Sequence, residues 1–360
     1  MVEAYRVSFT PIEPAHFGYA GEFSPSARGP AALGRVFYTP LPSTILGALA
    51  YISCIVCSKK SDGKFSTNYN LVKEFLGTDF YLKGPYLVVN NKDILFILDD
   101  IMVKFSKEYI EKYIKMKIMQ IIDKKKVAQL KKEFPKAPPI VKFLGVGLKR
   151  GLKVSWKESP GLLYLAEYVD YPSIIGKKVY GTTIESISVN YDVIVEETIQ
   201  TIPYIEYIRL GGESRLAKFS ISSRPTLFDK AREMLKEKTE EYWIILLSPA
   251  VTDLPQKVPL ENLINLKSLS KLLSEDIEVE YILGRLSTIG LGFNEVKKER
   301  RPIKVAVPPG TVLLAKVDDP EKILKEGLGI ATCDGIDLRK IGYGTAIIYP
   351  EKGDLKKLLV

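Results

Sequence analysis

Five cations crowd one short stretch of this chain: Lys297, Lys298, Arg300, Arg301 and Lys304. Like charges packed so closely cannot share an apolar interior, so the connection that carries them must project into water. Apolar arms flank it, YILGRLSTIGLGF at 281–293 and IKVAV and VLLAKV between 303 and 317. Their alternating and continuous apolar spacing is that of half-buried and buried strands. The pattern is a basic finger on an apolar base. Gly290 and Gly292 close the first arm, and Pro308, Pro309 and Gly310 punctuate the second, where backbone can approach a neighbour closely. A charged hairpin tip is by itself only a solvated turn, but cations beside bare glycyl amides are what a polyanion such as RNA requires.

Other residues could do chemistry, and each has a structural alternative. Gly211, Gly212 and Arg215 follow an apolar run at 203–210 and form a sharp break, GGESR, with Arg209 just before it. The loop at 17–35 sets Tyr19, Phe23, Arg28 and Arg35 among glycines, and aromatic and guanidinium planes can stack on unpaired bases. His16 is the sole histidine; imidazole suits general acid-base work at neutral pH, yet no partner motif accompanies it. Cys54 and Cys57 have redox or zinc spacing, but they lie on an apolar segment and no second paired knuckle exists, so core thiols and no metal are expected. The pairs Asp99–Asp100 and Asp318–Asp319 fall where strands give way to turns, a common place for Asp. No phosphate-loop, dinucleotide or nucleophile-elbow pattern appears in its required context, and no cofactor is expected.

The elements that must position these groups follow from periodicity. Residues 5–9 alternate as a strand, 11–40 read as a long functional loop, and 44–57 as a buried helix with Ser43 as its N-cap. Two short strands, 86–89 and 94–98, make a hairpin around Asn90 and Asn91. The Lys-rich, amphipathic segment 107–134 predicts a peripheral helical insertion. Strands follow at 140–148, 162–169, 184–199 and 203–210, and an exposed helix at 229–242. From there the order is clean: strand 243–247, helix 260–273, the two arms, helix 320–326 and strand 344–349, one complete βαββαβ unit.

At 360 residues the chain exceeds what one hydrophobic core usually supports. Two domains are expected, 1–225 with its insertion near 100–135, and 240–360. Subtracting 43 acidic from 52 basic side chains leaves +9, a balance that favours nucleic acid or another polyanion. Three cysteines, no leader pattern at the N-terminus and no apolar run of spanning length predict a reduced, cytoplasmic protein without a membrane segment.

Five phrases in order, PLPSTILGAL (40–49), RLGGESR (209–215), ILLSPA (245–250), the basic hairpin and IGYGTAII (341–348), resemble the RAMP superfamily of CRISPR proteins. Their order is most similar to the third-subunit group of the type III-B Cmr effector complex, the guide-RNA 5′-handle-binding group. Residues from about 57 to 134 match nothing in it. The resemblance implies an α+β fold of two ferredoxin-like (RRM-like) βαββαβ domains with insertions, and makes the loop of Gly342 and Gly344 the RAMP glycine-rich loop. It implies a non-catalytic subunit in antiviral defence that binds the 5′ handle of the guide RNA. Its protein partners would be the large polymerase-like Cmr subunit and the backbone RAMP subunit. RNA contact is thereby carried onto Arg209, Gly211, Gly212, Arg215, Gly290, Gly292, Lys297, Lys298, Arg300, Arg301, Gly342 and Gly344, with Arg28 and Arg35 as a second candidate group. A sister branch of RAMP proteins cuts precursor guide RNA with a histidine near the N-terminus, so a metal-independent endoribonuclease using His16 is the alternative.

Overall fold

A computed structural model describes residues 3–18, 33–34, 36–56, 67–146, 163–199, 205–212, 215–223, 225–255, 266–294 and 299–359. In the first half, strand β1 (Glu3–Pro11) precedes helices α1 (Pro42–Val56) and α2 (Asn68–Leu76). Strands β2 (Phe80–Val89), β3 (Asp93–Leu98) and β4 (Ile101–Lys104) form a meander, then helices α3 (Lys107–Ile122) and α4 (Lys124–Lys131) follow. Strands β5 (Ile140–Val146) and β6 (Leu163–Val169) pair with each other, and β7 (Ile187–Val195), β8 (Tyr207–Arg209) and β9 (Leu216–Ser222) return to the main sheet. That sheet is antiparallel throughout, in the order β8-β9-β1-β7-β2-β3-β4.

Alternation in β1 sends Tyr5, Val7 and Phe9 into a core shared with Ile45, Leu46, Leu49 and Ile52 of α1. Each such side chain contributes roughly 1.5–3 kcal/mol when fully buried. Local signals set the ends of elements. Thr67 caps α2 by accepting from the Asn70 amide, and Gly77 ends it in the left-handed conformation. Asn90 and Asn91 turn the β2–β3 hairpin at φ 52° and 57°, which their short polar side chains tolerate.

The second half begins with α5 (Leu227–Met234), closed by a capping box between Thr226 and Asp229. Strands β10 (Glu241–Leu246) and β11 (Ala250–Pro255) and helix α6 (Leu266–Leu273) follow. Next come β12 (Ile277–Leu283), β13 (Ser287–Gly290), β14 (Ile303–Val307), β15 (Val312–Val317), α7 (Pro320–Glu326) and β16 (Ala346–Pro350). One antiparallel sheet runs β12-β15-β10-β16, and a smaller one runs β11-β14-β13.

Three expectations change. The two arms expected at 281–317 are divided between the two sheets: β12 pairs with β15 and β13 with β14. The exposed helix expected at 229–242 is shorter, because Tyr242 and Trp243 are fully buried and extended in β10. The Lys-rich insertion is not peripheral. Ile110, Tyr113, Ile114 and Ile118 of α3 share one buried cluster with Tyr86, Val88 and Phe96 of the first sheet and Trp243, Ile244 and Leu313 of the second. Most lysines of that segment mark its outer face, while Lys117 is buried and pairs with Asp99.

The halves are also stapled by polar groups. Lys83 on β2 is buried and donates to the carbonyls of Glu326 and Arg339, capping the last turn of α7. Burial pulls its ammonium down to about 7. Arg339 beside it forms a two-pronged pair with Asp337 and lies 3.6 Å from Glu326.

Candidate nucleic-acid interface

The finger is braced at its base before it reaches water. Phe293–Asn294 pairs with Glu299–Arg300, and the Arg301 amide donates to the Gly292 carbonyl. The Arg301 guanidinium then turns inward to Asp334 at 2.8 Å, where the Asn294 side-chain amide also donates to the same oxygen at 3.0 Å. Arg301 is half-buried and engaged, so its first duty is to fix the hairpin on the 332–337 turn. Arg300 is exposed on the hairpin, and Lys304 is held by Asp253. Lys297 and Lys298 lie outside the described residues, as do Arg28 and Arg35.

A cleft joins this base to the glycine-rich loop. Arg301, Leu291 and Asp334 line it from one side, Ile341 and Tyr343 from another, and Asn68 and Tyr69 at the start of α2 close it. Lys340 at the loop lies 3.7 Å from Asp79 and over the Tyr69 ring.

The loop itself is not a bare amide cradle. Gly342, Tyr343 and Gly344 donate their amides to the carbonyls of Arg339, Leu338 and Pro249. Gly342 and Gly344 are buried, at φ 102° and 69°, and a Cβ on Gly344 would stand 1.6 Å from the Leu328 carbonyl oxygen. Glycine is required here for close backbone packing at the joint of the two halves, where the Gly84 amide donates to Thr345 and Leu82 to the Lys340 carbonyl. Gly290 is buried as well, paired in register with Ile303. Gly292, exposed at φ 86° with open space around it, differs from these.

The turn around 209–215 is built against His16. The Gly212 amide donates to the His16 carbonyl, and a Cβ on Gly211 or Gly212 would come within 2.4 or 2.6 Å of that residue. His16 Nδ1 in turn lies 2.7 Å from the Glu167 carbonyl oxygen, and its ring packs on Tyr168. No carboxylate or second base meets the imidazole among its described contacts, so the geometry is that of a packed loop residue. Arg215 pairs with Glu13 at 2.9 Å while its guanidinium lies 4.6 Å over the Tyr168 ring. Exposed Phe143 stands edge-on to the same ring. Arg209 is exposed at the edge strand, beside exposed Tyr207.

The site residues therefore fall into two groups. The hairpin base and glycine loop share one cleft; Gly211, Gly212 and Arg215 gather around His16 and Tyr168, with Arg209 exposed on the adjoining edge strand. Asn294, Asp334 and Lys340 carry no repeat or spacing in the sequence, so only their neighbours in space mark them. Cys54 stands on α1, Cys57 lies outside the described residues, and no group of three metal-binding side chains occurs among the described residues. No helix of the described residues is long and apolar enough to cross a membrane.

The structure thus sets antiparallel sheets in two halves, with a glycine-rich loop before the last strand and a basic hairpin beside it. A family described as CRISPR-associated protein (Cas_Cmr3) matches residues 193–351. A Saccharolobus solfataricus protein, CRISPR system CMR subunit Cmr3, is 25% identical over 356 residues, covering 94% of this chain and 95% of its own length. One chain in a cryo-EM structure of the type III-B Cmr-beta bound to cognate target RNA superposes with a TM-score of 0.57 at 22% identity, covering 95% of this chain and 96% of that one. A chain from the same assembly with target RNA and AMPPnP gives 0.53 at 18% identity, covering 95% of each. The second half of the chain thus carries the Cas_Cmr3 match, and nearly the whole chain is similar to a Cmr3 protein.

Proposed function

We propose that this chain is a non-catalytic subunit of a type III-B Cmr effector complex, binding the 5′ handle of the guide RNA. In that role it bridges the large polymerase-like subunit to the backbone RAMP subunits in the cytoplasm. The observation that carries this is the relative aligned end to end with the chain, together with a basic hairpin whose root opens into the glycine-loop cleft. Strand order supports a pair of ferredoxin-like domains, near 1–225 and 240–360. In β9-β1-β7-β2 and again in β16-β10-β15-β12, the fourth strand of the unit lies beside the first, then the third, then the second. The first unit has no helix between β7 and β9 among its described residues.

RNA contact is proposed for Arg300 and Gly292, extended by Lys297 and Lys298 along the finger, and for Arg209, Gly211 and Arg215 at the second group. Gly290, Gly342, Gly344 and Gly212 act by shaping the backbone, since the amides of the last three are taken. Arg28 and Arg35 remain proposed contacts from the loop at 17–35.

Binding of guide RNA with and without its 5′ handle, measured across a salt series, tests the proposal. Charge reversal of Arg300 with Lys297 and Lys298 should weaken binding and flatten the salt slope by about 0.7 for each single-strand phosphate that is no longer neutralised. Equal affinity for handle-free RNA would overturn it. Cleavage of precursor RNA in EDTA, abolished by His16→Ala, would establish the endoribonuclease alternative instead.

A further inference from the structure

The elbow between α3 and α4 leaves a cationic and apolar surface that the core does not cover. Between residues 112 and 132 the chain carries eight lysines and a single carboxylate, Asp123. Asp123 is occupied in capping α4 through the amides of Lys125 and Lys126. Lys112, Lys117 and Lys131 are neutralised by Glu108 and Glu133, by Asp99 and by Asp100. Lys115, Lys124, Lys125 and Lys132 are exposed and meet no carboxylate among the described residues, and α4 packs only the half-buried Val127 and Leu130 against the core. Beside them Ile121 and Ile122 are 65% and 55% exposed, a costly placement for two adjacent isoleucines. Ile121 leads into an open groove of about 530 Å³, lined also by Gln120, Ile282, Arg285, Pro308 and Pro309.

We propose that this elbow and groove dock an acidic, apolar-faced segment of a neighbouring protein subunit; the inference rests on the assembly role proposed above. Charge complementarity makes the occupant anionic. The side chains favour protein over RNA: the exposed apolar groups are aliphatic, the groove lining holds no aromatic ring to stack a base, and Arg285 is its one guanidinium, the cations on the helices being lysines. Branched aliphatic side chains are instead covered well by the apolar face of a helix or strand, with carboxylates on its rim meeting the lysines.

The test uses the assembled complex, purified through a tag on this chain from cells expressing all Cmr subunits. A carbodiimide, which joins amines to carboxylates without a spacer, should link Lys124, Lys125 or Lys132 to Asp or Glu of a neighbouring subunit. The variants I121S/I122S and K124E/K125E/K132E should each reduce co-purification of that subunit about tenfold or more, with an unchanged melting curve and unchanged guide RNA per remaining complex. Two results overturn the inference alone: wild-type levels of every neighbour in both variants, or ultraviolet cross-links from elbow peptides to RNA. A wild-type chain that carries no Cmr subunit overturns the assembly role and this inference together.

Discussion

Asp192 offers a quantitative check on how the two halves are joined. It is fully buried on β7, accepts hydrogen bonds from the Tyr86 hydroxyl and the Phe228 amide at the start of α5, and has Arg6 nearby. Burial dominates its environment and raises the carboxyl to about 7. In the unfolded chain the same group titrates near 3.9. Between about pH 4 and 7 the folded state therefore holds a proton that the unfolded state has lost, and stability falls as pH rises through that window. Roughly 3 units at 1.36 kcal/mol each give a decline of about 4 kcal/mol. Asp192→Asn abolishes the titration. The stability of wild type minus that of the variant, from urea unfolding at intervals from pH 4 to 8, should thus decrease steadily and level off above about pH 7. A difference that is flat, or that grows with pH, would refute the assignment of a desolvated carboxyl at this joint. Asp192→Ala should cost about 3–5 kcal/mol near pH 7, because the Tyr86 hydroxyl, the Phe228 amide and the Arg6 charge lose their partner.

Three further substitutions test the joint and the glycines. Lys83→Met should lower stability by about 1–3 kcal/mol, since the Glu326 and Arg339 carbonyls lose a buried donor. Because the Lys83 ammonium is depressed to about 7, the wild type gains stability as pH rises from 7 towards 10; denaturant midpoints of the Met variant should lack that rise. Gly344→Ala should leave no soluble folded protein, as its Cβ would meet backbone at 1.6 Å. Gly292→Ala has a comparable positive φ but open space, and thermal melts should show a cost of only about 1–2 kcal/mol.

Much of the fold was legible in the chain because it is encoded by short-range pattern. Alternation at Tyr5, Val7 and Phe9, the Asn90–Asn91 turn, and the strands and helix near 243–247, 320–326 and 344–349 each rest on neighbours a few residues apart. The division of the 281–317 stretch between two sheets was not legible, since it depends on β11 arriving from residues 250–255 to pair with β14. Nor was the depth of α3. Tyr113 donates to Asp99 and to the Gly310 carbonyl, a contact spanning 197 residues that no helical periodicity can announce.

The candidate interface divides along the same line. Sequence alone determined that a cationic, glycine-flanked hairpin must leave the core, because five like charges within eight positions have no low-dielectric alternative. Only the tertiary structure decided which glycines face outward and which cations remain available. An amide or guanidinium is free only if no partner distant in the chain reaches it, and Pro249 for Gly344, Asp334 for Arg301 and His16 for Gly212 all do.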